Sequence, residues 1–292
     1  MKRLVILLIA HLSVFAAVIP EARNKLSAGD LTSAEAIVDE YYRASGANSE
    51  YAAAVSWLAR GAFMLNNTEA ASRYLNETKH LITDLLKTSS VEKDSFLTTA
   101  VGASIEVEAR MLAAHGQRDK AVAMLESEFV RWKTWPLQAR IQKNINLLTL
   151  VGKSAPELDA KDAGKPILLF LWAHWCGDCK AYASEMTRVR QKYESKGLLI
   201  KAPTRRYGTG RSEDERLTPE QEDRLIDDVW NESYAGLRGI SHPVNEGLML
   251  RYGVSSTPTM VLIDRKGIVQ MYRPFRLSDA ELSRQIDRIL QD

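Results

Sequence analysis

The sequence predicts a helical N-terminal half followed by an α/β domain built on a mixed sheet. Three observations predict it. From about Leu31 to Leu150 the composition is that of helices, rich in Ala, Leu, Glu, Lys and Arg and without proline until Pro136. Ile167-Leu168-Leu169-Phe170-Leu171-Trp172 is a continuous apolar run, too short for a free helix and bounded by turn residues, which reads as a central strand buried on both faces. The only two cysteines of the 292 residues follow in Cys176-Gly177-Asp178-Cys179, where that strand gives way to a helix.

At the start of the chain, Lys2 and Arg3 precede an almost unbroken apolar run from Leu4 to Val18, the order found in export signals. The run is shorter than the roughly 20 residues a membrane-spanning helix needs, and Val14-Phe15-Ala16 offers a small residue at a cleavage point. Residues 1–22 are therefore read as a signal peptide of an exported, periplasmic protein. The competing reading is an uncleaved segment that anchors the protein to the membrane. The formal net charge of +2, with no basic excess and no polybasic run, argues against nucleic acid and anionic lipid as partners.

Residues 23–150 form the helical region. Two stretches read as the bends of helical hairpins: Asn66-Asn67-Thr68 between the runs 57–65 and 69–75, and His115-Gly116-Gln117-Arg118 between 109–114 and 119–125. Small residues at the crossing and Gly or Asn at the bend make these hairpins similar to tetratricopeptide repeats, although the bends lie about 50 residues apart rather than the roughly 34 of a regular array. Such a region either offers a concave face to a peptide or protein partner or only buries its own core. Trp132 and Trp135, beside Arg131 and Lys133, are open to the same two readings.

Residues 151–292 form the second domain. Pro156 ends the helical pattern. After the strand and the cysteine motif comes a helix through Met186 and Val189, stopped by Gly197, and then a strand at Leu198-Leu199-Ile200. A short helix ends at Gly253, and Ser255-Ser256-Thr257-Pro258-Thr259 leads into the strand 260–263. Asp264-Arg265-Lys266-Gly267 is a hairpin turn into the strand 268–272, and Ser278-Asp279-Ala280-Glu281 is a capping box opening the last helix. Between two of these strands lies an insertion, about 203–234, longer than most loops of compact domains, with a charged helical segment from Pro219 to Trp230. It reads either as a flap at the edge of the cysteine site or as a solvated surface excursion.

The cysteine spacing carries the chemistry. A Cys-x-x-Cys pair at a strand-to-helix turn puts the first sulfur at the helix N-terminus, where unpaired N–H groups favour thiolate, and the second one turn later. Such motifs lower a cysteine pKa from roughly 8.5 into the range of about 3.5 to 7.5. A purely structural bridge is disfavoured, because so short a loop adds little stability. Zinc is disfavoured as well, since there is no second Cys-x-x-Cys and the five histidines are scattered. Dithiol exchange needs no cofactor and no metal.

Together, Val151 to Leu158, Trp172-Ala173-His174-Trp175-Cys176-Gly177-Asp178-Cys179, Thr257-Pro258 and Leu262-Ile263-Asp264-Arg265-Lys266-Gly267 make residues 151–292 resemble the thioredoxin superfamily. The nearest resemblance is to its exported TlpA- and ResA-like thiol-disulfide oxidoreductases. The resemblance implies that Cys176 is the attacking thiolate and Cys179 the resolving thiol, that the peptide before Pro258 is cis, and that Trp175, Thr257 and Pro258 receive the substrate. An extended segment can then pair with the backbone of Thr257 as an added strand. The implied partners are protein thiols or disulfides and a redox partner.

Three positions depart from the family, one of them Asp178, which replaces the common proline of the motif. Thioredoxin carries an acidic residue six positions before the first cysteine, and this chain has Phe170 there. ResA-like proteins carry a glutamate six positions after it, and this chain has Tyr182. Both usual proton acceptors for the second thiol are therefore absent. Lys180 and Glu185 stand nearby on the helix as tuning candidates. Asp178, between the cysteines, opposes thiolate formation, and His174, when protonated, favours it. The sequence thus predicts an exported protein disulfide oxidoreductase of open direction. Its alternatives are a helical-repeat adaptor with a redox-inert domain and a copper-handling thiol protein using a histidine such as His242.

Overall fold

The computed structural model describes residues 18–157, 159–212 and 215–291. Most of the segment read as a signal peptide, including the Val14-Phe15-Ala16 cleavage point, lies outside the described residues. Its last residues, Val18 to Ala22, belong to the first helix. No helix among the described residues is long and apolar enough to cross a membrane. By its contacts the chain divides into two units, residues 1–107 and 108–292.

The first unit is helical: α1 (Val18–Ser27), α2 (Leu31–Ser45), α3 (Ser49–Met64), α4 (Thr68–Leu85) and most of α5 (Ser95–Ala114). The bend between α3 and α4 falls at Asn66 and Asn67. Asn66 adopts the left-handed conformation (φ 59°), and the Asn67 side chain accepts the Ala70 N–H at 3.0 Å as the N-cap of α4. The buried face of α3 is built mainly of Ala52, Ala53, Ala54, Ala59, Gly61 and Ala62. Small residues let backbones approach, and at Gly61 a Cβ would collide with Leu26 of α1. Trp57 is covered by two guanidinium groups, Arg23 at 4.4 Å and Arg60 at 4.9 Å from the ring centre.

The second unit begins in the last turns of α5. It continues through a bend with Gly116 in the left-handed region (φ 75°) to α6 (Arg118–Arg131) and α7 (Trp135–Thr149). Then follow β1 (Ile167–Leu171), α8 (Gly177–Ala181), α9 (Ala183–Tyr193), β2 (Leu199–Lys201), α10 (Pro219–Ser233), α11 (Glu246–Arg251), β3 (Thr259–Ile263), β4 (Val269–Pro274) and α12 (Asp279–Gln291). The strands form a mixed sheet of order β2-β1-β3-β4. β1 and β2 are parallel, and β3 is antiparallel to both β1 and β4.

Every residue of β1 is buried, and alternation along the strand divides the core. Leu168 and Phe170, with Trp172 just beyond the strand, face Met186, Val189, Ile226, Val229, Leu282 and Ile286 from α9, α10 and α12. Ile167, Leu169 and Leu171 face the opposite layer with Leu150, Met249, Tyr252 and Val254. Each such side chain taken from water stabilises by roughly 1.5–3 kcal/mol. Trp135, at the start of α7, packs on this second layer. At the other end of α7, Asn146 Nδ2 donates to Arg251 O at 2.9 Å.

The insertion is not a solvated excursion. Its Ile226, Val229, Trp230 and Tyr234 are buried in the same core cluster as both cysteines. The chain leaves β2 pinned to the strand-to-helix turn, with Trp172 Nε1 donating to Ala202 O (2.8 Å) and Thr204 Oγ1 donating to Trp172 O (2.8 Å). The capping box Thr218/Gln221 then starts α10, whose buried stripe recurs at Glu222, Ile226, Val229 and Trp230. Helical spacing thus puts one carboxylate on the apolar face.

Candidate active site

The motif sits at the carboxyl end of β1. Cys176 is the N-cap of α8, and its sulfur accepts the Cys179 N–H at 3.1 Å. The two cysteines are disulfide-bonded with Cα atoms 5.3 Å apart. Both cysteines are buried: Cys176 is 4% exposed and Cys179 is fully enclosed. Both belong to the core cluster around Phe170 and Tyr182. Trp175, by contrast, is 51% exposed and forms the rim of the motif.

The Thr257–Pro258 peptide is cis. Leu171 pairs with Thr259 across β1 and β3, so Pro258 lies at the same end of the sheet as the cysteine motif. Pro258 itself is buried, and its carbonyl accepts the N–H of Phe275 at 2.7 Å. Phe275 stands just after β4 in the left-handed region (φ 73°) and is 55% exposed. A bulky residue rarely takes that conformation, and nothing in the sequence marks it. Thr257 Oγ1 is buried without a hydrogen-bond partner among the described residues.

Phe170 and Tyr182 lie in the same core cluster. The Phe170 and Tyr182 rings lie 6.4 Å apart, and the Tyr182 hydroxyl donates to Leu277 O at 3.0 Å. Burial pushes the Tyr182 phenol up to about 12, so this hydroxyl stays protonated at neutral pH. Of the tuning candidates, Asp178 is exposed and Lys180 half-buried on α8. Glu185 accepts from Ser184 Oγ (2.7 Å) and lies 3.8 Å from both the Arg188 and Arg276 guanidinium groups. These partners, the serine hydroxyl first, hold its carboxyl below the usual range. His242, the histidine of the copper reading, donates from Nε2 to Asp227 Oδ1 (3.1 Å) and stacks on Trp230. No cluster of three or more His, Cys, Asp or Glu residues that could hold a metal ion occurs among the described residues.

His174 is the tuning candidate that the fold encloses. It is 1% exposed, and Nε2 lies 3.0 Å from Thr209 O in the insertion. A carbonyl only accepts, so Nε2 carries the hydrogen. Nδ1 points at Glu222 Oε1, 3.7 Å away, and Glu222 is itself 1% exposed. That carboxylate also accepts the backbone N–H groups of Tyr207 and, at 2.8 Å, Gly208. The Tyr207 ring packs edge-on against both His174 (5.8 Å) and Trp175 (5.3 Å). Behind it, the Arg205 guanidinium is sandwiched between Tyr207 (3.9 Å) and Trp135 of α7 (3.5 Å). Trp135 is thus a support of this loop. Sequence reasoning missed Glu222, Arg205 and Tyr207. The signal for Glu222 was its position four residues before Ile226 on the apolar stripe of α10.

Burial drives the His174 pKa below its usual 6.5, and Glu222 opposes that shift in part. Between the depressed folded value and 6.5 the unfolded chain therefore binds a proton that the folded chain does not. Stability is full above pH 6.5 and falls as pH drops through that window. Denaturant midpoints measured from pH 8 to pH 5 should decline more steeply for the wild type than for His174→Asn. Equal slopes would remove His174 from the acid response.

Residues 157–286 match the family model of the thioredoxin-like domain. The chain is thus a helical region followed by a thioredoxin-like domain with a mixed four-stranded sheet. It is 23% identical to the thioredoxin-like protein YneN of Bacillus subtilis over 147 residues, 49% of this chain and 75% of the relative. A thioredoxin of Synechocystis is 37% identical over 46 residues, 16% of this chain and 43% of the relative, so that match spans less than half of the cyanobacterial protein. Among solved structures, a thiol-disulfide isomerase from Corynebacterium glutamicum aligns with a TM-score of 0.37 and 18% identity, over 49% of this chain and 93% of its own.

Proposed function

We propose that this protein is an exported thiol-disulfide oxidoreductase, similar to the TlpA- and ResA-like branch, that exchanges disulfides with protein substrates through Cys176 and Cys179. The observation that carries the reading is the bonded Cys176–Cys179 pair at the start of α8, at the sheet end that also bears Pro258. In the reductive direction, the Cys176 thiolate attacks a substrate disulfide. A mixed disulfide forms and one substrate thiolate leaves. Cys179, deprotonated, then attacks the Cys176 sulfur, which releases the second substrate thiolate and closes the internal disulfide. The oxidative direction is the same sequence reversed, and a redox partner restores the starting state.

Trp175 and the backbone at Thr257 receive the substrate segment beside the sulfurs. The leading Lys2-Arg3 and apolar run support export to the periplasm, with membrane attachment only where that run is retained. The helical region, similar to tetratricopeptide hairpins, supplies a surface for a peptide or protein partner. The reading is tested with a Cys179→Ala variant expressed in the native compartment. Cys176 should then accumulate mixed disulfides, visible as reductant-sensitive adducts on non-reducing gels. If no adduct forms, and Cys176→Ser leaves the host's thiol status unchanged, the redox-inert adaptor reading replaces it.

A further inference from the structure

The insertion brings a buried carboxylate to the redox motif by a route that neither usual acid position predicts. Glu222 lies on α10, between two backbone N–H donors and the imidazole of His174, and both side chains are 1% exposed. The Thr209 carbonyl engages Nε2 of His174, so Nδ1 is the only ring atom left to meet the carboxylate, and it has no hydrogen-bond partner among the described residues. With His174 neutral and Glu222 ionised, two lone pairs face each other across 3.7 Å in a dry site. As the pH falls, one proton taken up between Nδ1 and Oε1 removes that conflict.

We infer that His174 and Glu222 act as one buried proton-holding pair whose proton occupancy is linked to the charge on Cys176, which makes Glu222 a positioning residue of the redox motif. The inference rests on Cys176 being the attacking sulfur. His174 lies two residues before Cys176, within the turn closed by the Cys176 N–H to Ala173 O hydrogen bond (3.1 Å). Reduction of the internal disulfide by a dithiol takes up two electrons and one proton, leaving a thiol at Cys179 and a thiolate at Cys176. That new negative charge raises the affinity of the pair for its proton, and a proton on the pair in turn favours the thiolate.

The other groups around the pair are few. From the insertion come the Tyr207 ring, the Thr209 and Gly210 carbonyls, and the Arg205 and Arg206 guanidinium groups acting on Glu222. From α8 comes Lys180, which disfavours imidazolium. None of them provides a second carboxylate against His174.

The pair is read directly by following the His174 ring resonances from pH 4 to pH 9 in the full chain, oxidised and then reduced with excess dithiothreitol. The midpoint should be higher in the reduced protein by about half a pH unit or more, the scale of one charge acting through a partly buried environment. The pH dependence of Cys176 alkylation by iodoacetamide should show two steps in the wild type. It should show one step in both Glu222→Gln and His174→Asn. Identical His174 midpoints in the two redox states overturn the inference, as does a two-step profile that persists in either folded variant. Should Glu222→Gln fail to fold, the wild-type titration decides alone. A failed exchange reading looks different: no substrate is trapped, while His174 still reports the redox state.

Discussion

Replacement of Cys176 by Ser is expected, on the proposed exchange reading, to lower disulfide exchange by at least about 1,000-fold, because that reading makes the Cys176 thiolate the nucleophile and a serine hydroxyl is not ionised at neutral pH. The variant also loses the internal disulfide, since Cys179 has no second partner in the chain. Its fold should survive, because a bridge that closes so short a loop constrains the unfolded chain little. The measurement is the dithiothreitol-driven reduction of a disulfide-bonded reporter protein, alongside the thermal midpoint. Retained turnover in a folded Cys176→Ser protein would place the chemistry elsewhere. A lost fold would mean that the pair is structural.

Gly253→Ala is expected to cost about 3 kcal/mol of stability, a large effect for the addition of one methyl group. Gly253 adopts φ +60°, and a Cβ there would run into the backbone of Gln142 and Lys143 in α7. The left-handed conformation alone costs roughly 1–2 kcal/mol for a residue with a Cβ. Backbone cannot rotate aside as a side chain can, so α7 must withdraw, weakening the hydrogen bond from Asn146 to Arg251 O. A domain of this size loses roughly 2–4 °C of thermal midpoint per kcal/mol, so a drop of about 6–12 °C is expected by calorimetry. A change under about 2 °C would show that α7 adjusts freely to this turn.

The order of elements in the second domain was legible because its signals are local. A run of five buried residues, the Pro219 start of α10, the Asp264 turn and the Ser278 cap each depend on residues within a few positions of one another. The helical bends at Asn66 and Gly116 were legible for the same reason. The insertion was not. Its charged composition reads as surface, yet only some of that charge is there. Glu220 is exposed, Asp223 pairs with Arg206 at 2.7 Å, and Glu222 lies inside. Three neighbouring carboxylates of similar chemistry are separated only by which face of α10 meets the core.

By itself, then, the sequence determined the helical region, the mixed-sheet domain and the single dithiol spacing at its strand-to-helix turn, all of which follow from periodicity and short-range backbone chemistry. Only the tertiary structure decided what surrounds that dithiol. It enclosed His174, set Glu222 against it, and stacked Arg205 between Tyr207 and Trp135. The physical reason is that an electrostatic environment is a property of contacts between distant segments of the chain.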